Sequence, residues 1–407
     1  MTGTVAKQLG WAQRGARRSK EAGRALVALV ALVVLGACVA SARTIQVGPA
    51  EKVHTIAQAA ALAQDDDVVE IAPGDYLGDV TVWTQKRLTI RGIGQRPVLR
   101  AAGKSAEDKA IWVIRNGDFA ISNIEFRDAR VDDGNGAGIR FERGKLSIVR
   151  CGFFNNQVGL MTANFADAEL SIADSIFAEA PRQKSPLPHL VYVGQISLLR
   201  VTGSRFYSGY FGHLLKSRAR LSDIRYNLLV DGAAGRASYE AEFPNGGEVA
   251  LVGNVLGQSS ETENRTVLSY GAEGGIWPRN SLTMVHNTFY SEGSLPGRFL
   301  QVFQDRVSPQ PMVLSRNNLI AGAGLFTMGV VGTHQGNIFA PSAVLGDPSM
   351  MDFTLDASSW LRGMADPIAD DTLRPKFEHL VPGRVAAIGD RVRWAPGALQ
   401  TPSVARP

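Results

Sequence analysis

A repeat of roughly two dozen residues is the feature that most constrains how this 407-residue chain can fold. Nine large apolar residues each stand two positions after a residue that is small or polar in eight cases, and successive repeats lie 28, 23, 29, 23, 27, 33, 31 and 19 residues apart. A period in the twenties that tolerates insertions is typical of a solenoid, whose coils keep a fixed core and lengthen at one loop. The nine pairs are Ile124/Phe126, Gly152/Phe154, Ser175/Phe177, Ser204/Phe206, Asn227/Leu229, Asn254/Leu256, Asn287/Phe289, Asn318/Ile320 and Asn337/Phe339.

The segments between these pairs have the pattern of β-strands. Runs such as Leu146-Ser-Ile-Val and Ser281-Leu-Thr-Met-Val alternate between apolar and polar residues or stay apolar over a few positions, and no helical period fits them. The sequence therefore predicts an all-β fold, a parallel β-helix of about ten coils. Stacked coils would align five asparagines into one column of hydrogen-bonded amides, beside an interior column of Phe, Leu and Ile. The five are Asn227, Asn254, Asn287, Asn318 and Asn337.

The first 42 residues have the composition of an export signal. They contain six of the 43 basic residues and one of the 38 acidic residues, an apolar run from Ala25 to Val39, and a small-x-small cleavage site at Ala40-Ser-Ala. Residues 43–407 then hold equal numbers of basic and acidic residues, which argues against a nucleic-acid or membrane-surface partner. We expect an exported monomer, periplasmic or secreted, with a single domain from residue 43 to 407.

Two other interpretations of the leader stay open. Leu35-Gly-Ala-Cys38 resembles a bacterial lipobox, which would make Cys38 a lipidated N-terminus, and the apolar stretch is at the lower limit for an uncleaved membrane anchor. The chain has two cysteines, Cys38 and Cys151, so the mature chain would hold no internal disulfide. We expect Cys151 to be a buried, inert thiol.

The first segments after the leader resemble those of a known superfamily. Thr55 can cap a short helix reaching Asp65, and Val69-Glu-Ile-Ala-Pro-Gly-Asp-Tyr and Leu88-Thr-Ile-Arg-Gly-Ile-Gly follow it. This order resembles the opening of right-handed β-helix proteins of the pectate-lyase superfamily, in which the helix covers the open end of the stack. Phe353-Thr-Leu-Asp and Pro396-Gly-Ala-Leu resemble the closing segment and the terminal strand. The resemblance implies a right-handed helix and leaves the function open, because the superfamily holds lyases, hydrolases, esterases, epimerases and adhesins.

Polar residues concentrate in four segments of the central coils. The segments begin 24, 26 and 28 residues apart, so they should stack as adjacent strands of one sheet. They are Pro188-His-Leu-Val-Tyr-Val-Gly, Gly212-His-Leu-Leu-Lys-Ser-Arg-Ala, Ser238-Tyr-Glu-Ala-Glu-Phe-Pro-Asn-Gly-Gly and Thr266-Val-Leu-Ser-Tyr-Gly-Ala-Glu-Gly-Gly.

Strict strand alternation assigns the faces of these segments. It predicts Tyr239, Ala241 and Phe243 inward and Glu240 and Glu242 outward. It also predicts Lys216 and Arg218 outward, which would place two cations beside two carboxylates. A cross-strand ladder of ion pairs would explain this pattern without any ligand, but the accompanying His, Tyr and Gly-Gly residues favour a binding groove.

The second segment also resembles the chondroitinase and alginate-lyase family of β-helices, because Lys216-Ser217 follows Gly203-Ser-Arg-Phe at the family's distance. In that family an acidic, calcium-binding stretch precedes the Lys-Ser pair; here Tyr207-Ser-Gly-Tyr-Phe-Gly-His replaces it. The resemblance implies a divalent cation such as calcium as a cofactor, and the sequence leaves the metal unknown.

The leading hypothesis is an exported enzyme that acts on a uronate-containing polysaccharide by lyase or epimerase chemistry. That chemistry needs cations to hold the carboxylate and a base such as Lys216, His213 or Tyr270. The alternatives are a hydrolase using Glu240 and Glu242, and a non-catalytic carbohydrate-binding or cell-envelope protein. The catalytic candidates are Lys216, His213, Arg218, Glu240 and Glu242, and the substrate-binding candidates are His189, Tyr192, Asn245, Tyr270 and Glu273.

Overall fold

The computed structural model describes residues 42–402, except 184, 234, 294–295 and 391–392. The predicted leader therefore lies, apart from Ala42, outside the described residues. The residues from Arg43 onward form one compact unit. Across the described ranges, no helix has both the length and the apolar character needed to cross a membrane.

The described residues form three long parallel sheets, and a full coil adds one strand to each. Sheet 1 consists of Thr44–Val47, Val68–Ile71, Arg87–Gly92, Asp118–Ser122, Lys145–Val149, Glu169–Ala173, Leu198–Thr202, Leu221–Arg225, Glu248–Val252, Ser281–Val285, Met312–Arg316 and Thr333–Gln335. Sheet 2 consists of Thr81–Trp83, Ala110–Ile114, Ala137–Phe141, Val158–Thr162, His189–Val193, His213–Ser217, Tyr239–Phe243, Thr266–Tyr270, Gly297–Val302 and Gly324–Leu325. Sheet 3 consists of Asp75–Leu77, Val98–Arg100, Glu125–Arg127, Gly152–Phe154, Ile176–Ala178, Arg205–Tyr207, Leu228–Val230, Val255–Gln258, Thr288–Ser291, Leu319–Ala321 and Ile338–Ala340.

The predicted asparagine column is confirmed at the corner between sheets 1 and 3. Asn254 Nδ2 donates to Asn287 Oδ1 at 3.0 Å and to the Ile224 carbonyl at 2.8 Å, and the backbone N–H of Asn254 also donates to Asn287 Oδ1. The same pattern joins Asn227 to Asn254 and Asn287 to Asn318. Because these amides are fully buried, each one satisfies polar backbone atoms that would otherwise have no partner at a sharp corner.

The interior aromatic column differs from the prediction in two coils. Phe339 is in register with Ile320, but it is 56% exposed, because its strand is the last one of sheet 3. Phe126, Phe153, Phe177 and Phe206 occupy the same register, with ring centroids 5.0, 4.5 and 5.1 Å apart and nearly parallel planes. The Gly152/Phe154 pair was therefore wrong by one residue, because Cys151 takes the corner position that Ser175 takes in the next coil. Burial raises the pKa of the Cys151 thiol to about 11, which fits the expected inert thiol.

The two ends of the stack also differ from the prediction. The helix spans Ile56–Leu62 and stops before Asp65; Thr55 caps it through a capping box with Gln58. At the other end, Asp352–Leu355 pairs antiparallel with Leu345–Asp347, while Pro396-Gly-Ala-Leu forms no strand. Phe377–Leu380 pairs with Arg384–Ala387, and short 3-10 turns lie at Gln304–Arg306, Ser342–Val344 and Pro348–Met350.

Sheet 2 contains a bend that matters for the site. Leu214 and Leu215 are consecutive, yet both are fully buried in the core. The residues on either side of them, His213 and Lys216, therefore both lie on the outward face. Leu190 and Val191, in the preceding coil, are also consecutive and both buried in the core. The strict alternation of inward and outward side chains is therefore broken at this bend in both coils.

Candidate functional site

The four polar segments lie on adjacent strands of sheet 2, as the spacing predicted. One outward column runs along the register Met161, Tyr192, Lys216, Glu242 and Ser269. Arg218 follows Lys216 by two residues, so its side chain projects from the same face of the sheet. Neighbouring strands in a sheet lie about 4.8 Å apart, which brings these side chains within reach of one another.

Lys216 lies at the centre of an ion-pair network. Its Nζ is 3.0 Å from Glu242 Oε2 and 3.1 Å from Glu273 Oε1. The side chains of Lys216 and Glu242 are only 11% and 5% exposed, whereas Glu273 is 44% exposed. Burial raises the pKa of Glu242, but His213 and Lys216 outweigh that effect and the net shift is downward. Glu242 is therefore a charged carboxylate at neutral pH.

Arg218 makes a bidentate contact with the same exposed glutamate. Its two terminal nitrogens lie 2.6 and 3.0 Å from the carboxylate oxygens of Glu273, and its Nε donates to the Tyr192 hydroxyl at 2.9 Å. Arg218 also donates to Asn245 Oδ1. Paired donors on a planar guanidinium match a carboxylate, so Glu273 occupies the position in which Arg218 would hold any other carboxylate.

Two histidines border this network. His213 Nδ1 lies 3.0 Å from Glu242 Oε2, although neither atom has a hydrogen bond of good geometry. His189 Nδ1 accepts the backbone N–H of His213 at 3.0 Å, and the two rings are 4.7 Å apart. Burial lowers the pKa of both imidazoles, and for His213 the nearby Glu242 opposes the shift only in part. His213 is therefore neutral at neutral pH and can accept a proton.

Glu240 is in the interior of the β-helix, which corrects the predicted outward orientation. It lies at the bend, in register between Leu214 and Val267, and it is fully buried. Its Oε1 has no hydrogen-bond partner within the described part of the chain, and Gln258 Nε2 is 3.4 Å from Oε2. Burial raises the pKa of Glu240 well above its ordinary value. Glu240 and Glu242 point to opposite sides of the strand and cannot act as a glycosidase pair on one sugar.

Tyr270 and Tyr239 also differ from the prediction. Tyr270 is fully buried in the core and donates its hydroxyl to the Gly247 carbonyl at 2.7 Å. Burial raises its pKa further above the ordinary value, so neither position nor acidity suits a base or a substrate contact. Tyr239, predicted inward, is half-buried on the outward side, with its ring 4.9 Å from that of His213.

The structure thus brings eight of the ten predicted residues together and separates Glu240 and Tyr270 from them. The eight are His189, Tyr192, His213, Lys216, Arg218, Glu242, Asn245 and Glu273. Sequence reasoning missed Trp277, whose Nε1 donates to the Arg218 carbonyl at 3.1 Å. Trp277 lies four residues after Glu273 on the same loop. A single Trp that does not recur from coil to coil is not part of the repeat, so the sequence did not mark it as a site residue.

No group of three or more His, Cys, Asp or Glu side chains within the described ranges is arranged to hold a metal ion. The stretch before Lys216, Tyr207 to His213, contains no carboxylate, so the residues present do not fit the calcium site that the resemblance implies. A cavity of about 550 Å³ lies apart from this cluster, between His286, Asp366 and Trp394, and none of the ten predicted residues lines it.

Comparisons with known proteins bear on the fold. No family model and no curated protein match this chain. Among solved structures, the chain is similar to pectate lyase Pel9A, with a TM-score of 0.60 and 12% sequence identity over 88% of this chain and 97% of that chain. The likeness confirms the predicted right-handed parallel β-helix of the pectate-lyase type, and at this identity it concerns the fold alone.

Proposed function

We propose that this protein acts on a uronate-containing polysaccharide, by abstracting the proton next to a sugar carboxylate. The observation that carries this proposal is the convergence of Lys216, Arg218 and the neutral His213 on one outward face. Proton abstraction at such a carbon needs cations to stabilise the enolate-like intermediate and a base within reach. Both are present in this cluster.

Arg218 and Lys216 would hold the substrate carboxylate. Glu273 now makes the contacts that a uronate carboxylate would make, and it is the exposed member of the network, on a loop whose Gly271 and Gly274 adopt positive φ values. A substrate carboxylate would take its place on Arg218. Glu242 would stay paired with Lys216, because both groups are buried.

His213 is the better candidate for the base. Lys216 contacts two carboxylates, and such ion pairs require its protonated form, which has no lone pair to offer. With Nδ1 of His213 directed at Glu242, the Nδ1-H tautomer leaves Nε2 free to take the proton. The electron pair left on carbon is delocalised into the carboxylate. In a lyase it then expels the glycosidic oxygen and forms a C=C bond; in an epimerase the carbon is reprotonated on its other face.

The test is a screen of polygalacturonate, alginate, chondroitin and hyaluronan, with and without calcium. Lyase activity appears as the ultraviolet absorbance of an unsaturated uronate, and epimerase activity as deuterium incorporation at the same carbon in D2O. We expect His213→Asn and Arg218→Gln to lower kcat/KM about a hundredfold or more. Lys145→Ala, on the outward face of sheet 1, is the matched control and should keep full activity.

A non-catalytic carbohydrate-binding or cell-envelope role is the second candidate. It is favoured by one observation: both cations of the cluster are already neutralised by Glu242 and Glu273. Under this alternative a glycan would bind to the wild type and to His213→Asn equally, and no product or deuterium exchange would appear.

We also propose that residues 1–42 are an export signal. The support is the basic stretch, the apolar run and the Ala40-Ser-Ala site in the sequence. N-terminal sequencing of the exported protein should begin at Arg43. A fatty acid on Cys38 would instead establish a lipoprotein.

A further inference from the structure

Arg140, on the outward face of sheet 2, makes no ion pair with any residue that the structure describes. Arg140 lies in the same outward column as Tyr192 and Lys216, because the register runs from Arg140 to Met161, Tyr192 and Lys216. The strand spacing puts Arg140 three coils from Lys216, or about 14 Å away along the stack.

The nearby carboxylate of Glu142 forms ion pairs with other cations. Glu142 pairs with Lys109 at 3.0 Å and with Arg115 at 2.6 Å. Among the described residues, no carboxylate lies within ion-pair distance of Arg140, and its buried Nε has no hydrogen-bond partner. A half-buried guanidinium without a counter-charge is unusual, because burial of a charge is costly unless it is paired.

Tyr192 lies between this cation and the cluster. Its hydroxyl accepts a hydrogen bond from Arg218, and the Arg218 guanidinium carbon is 5.8 Å from its ring centroid. Met161, which is half-buried, lies in the column between Arg140 and Tyr192. The strip from Arg140 to Lys216 therefore has apolar and aromatic surface in its middle and a cation at each end. Sugar rings pack on such apolar surface while their charged substituents need cations.

We propose that Arg140 forms a second carboxylate-binding subsite, for a uronate residue farther along the polysaccharide chain whose reacting residue lies at Arg218 and Lys216. This inference rests on the proposed function. It adds that the substrate crosses the coils of sheet 2 toward the N-terminal end of the stack, with Tyr192 under the sugars between the two subsites. It also predicts that affinity depends on chain length.

The test compares wild type, Arg140→Gln and Arg143→Gln with uronate oligosaccharides of increasing length. The series runs from the disaccharide to the octasaccharide, prepared from whichever of polygalacturonate, alginate, chondroitin or hyaluronan the wild type binds. Arg143 is the matched control, since it is exposed and paired with Asp167. We expect Arg140→Gln to weaken binding of the longer oligomers about tenfold and to leave the disaccharide unchanged. Arg143→Gln should bind every oligomer as the wild type does.

The outcomes separate the two proposals. Equal binding of long oligomers by Arg140→Gln and wild type, with Arg218→Gln impaired, would overturn the second subsite alone. Weakening of the disaccharide by the same factor as the octasaccharide would also overturn it, because the effect would then be general. If the wild type binds none of the four glycans, the proposed function itself fails and this inference fails with it.

Discussion

Lys145 and Lys216 each face a glutamate in direct cross-strand register, one on the outward face of sheet 1 and the other on that of sheet 2. The distances are alike, 3.3 Å to Glu169 and 3.0 Å to Glu242. The exposed fractions of the side chains differ: they are 61% for Lys145 and 36% for Glu169, but 11% for Lys216 and 5% for Glu242. The same local pattern is thus a solvated ion pair on one face and a buried, histidine-bordered network on the other.

The two faces differ because the strands alone do not form the site. The loop that follows Thr266–Tyr270 brings Glu273 and Trp277 into hydrogen-bond contact with Arg218. Exclusion of water strengthens each charge interaction there. An exposed pair is screened and contributes little.

A double-mutant cycle should give the largest difference between the two faces. Removing Lys216 leaves the buried Glu242 without its cation, so the coupling energy of Lys216→Met with Glu242→Gln should be about 3 kcal/mol or more. The cycle for Lys145→Met with Glu169→Gln should give less than about 1 kcal/mol. Urea unfolding of the four variants of each cycle measures both values. Equal coupling energies would mean that the two pairs experience the same environment.

The asparagine column should give the next largest effect. Asn287→Ala removes an amide that donates to Asn318 and to the Leu251 carbonyl, and it leaves the amide of Asn254 without its acceptor. We expect a loss of about 2–3 kcal/mol in the free energy of unfolding. Asn337→Ala is the control, because it ends the ladder and is half-buried. A loss as large at Asn337 would contradict the account of a cooperative buried ladder.

Substitution of Glu240 should change the stability of the protein by a smaller amount, which depends on pH. The folded pKa of Glu240 lies well above the ordinary value, so its contribution to stability is present in acid and is lost as the pH rises toward that folded pKa. Glu240→Gln cannot ionise, so it should melt above the parent at about pH 8 and by less at about pH 5. Turnover should not change, because Glu240 faces the interior.

Substitution of Glu273 should give the smallest effect of the four, and this effect should be on KM and not on stability. If Glu273 holds the place of a substrate carboxylate, Glu273→Gln weakens a competitor for Arg218 and lowers KM severalfold with kcat nearly unchanged. Steady-state kinetics on the active glycan checks this expectation. A loss of kcat with KM unchanged would make Glu273 part of the chemistry instead.

The fold could be predicted because the repeat is periodic and local. The Asn and Phe columns carry one signal per coil, and an error at Phe154 shifted one coil without altering the architecture. The site could be predicted in part. The spacing of the four segments placed Lys216, Arg218 and Glu242 correctly on one face, since they lie beyond the bend of sheet 2.

The failures have a physical cause in the same bend. Two consecutive inward residues break the alternation, so Glu240 turned inward and Tyr239 outward. Nothing in the sequence marks the bend, because its interior positions accept Leu214, Val267 and a carboxyl group alike. Arg140 was missed for a different reason: what distinguishes it is the lack of a partner, and only three-dimensional contacts reveal that.

The position of a bound uronate oligosaccharide in a crystal structure would decide whether Arg218 and Lys216 bind the substrate. We expect sugar on the outward face of sheet 2, with one carboxylate in bidentate contact with Arg218 and within hydrogen-bond distance of Lys216, and with Glu273 displaced from both. Sugar bound on the outward face of sheet 1 or in the cavity beside His286 and Trp394, with Glu273 still on Arg218, would contradict it.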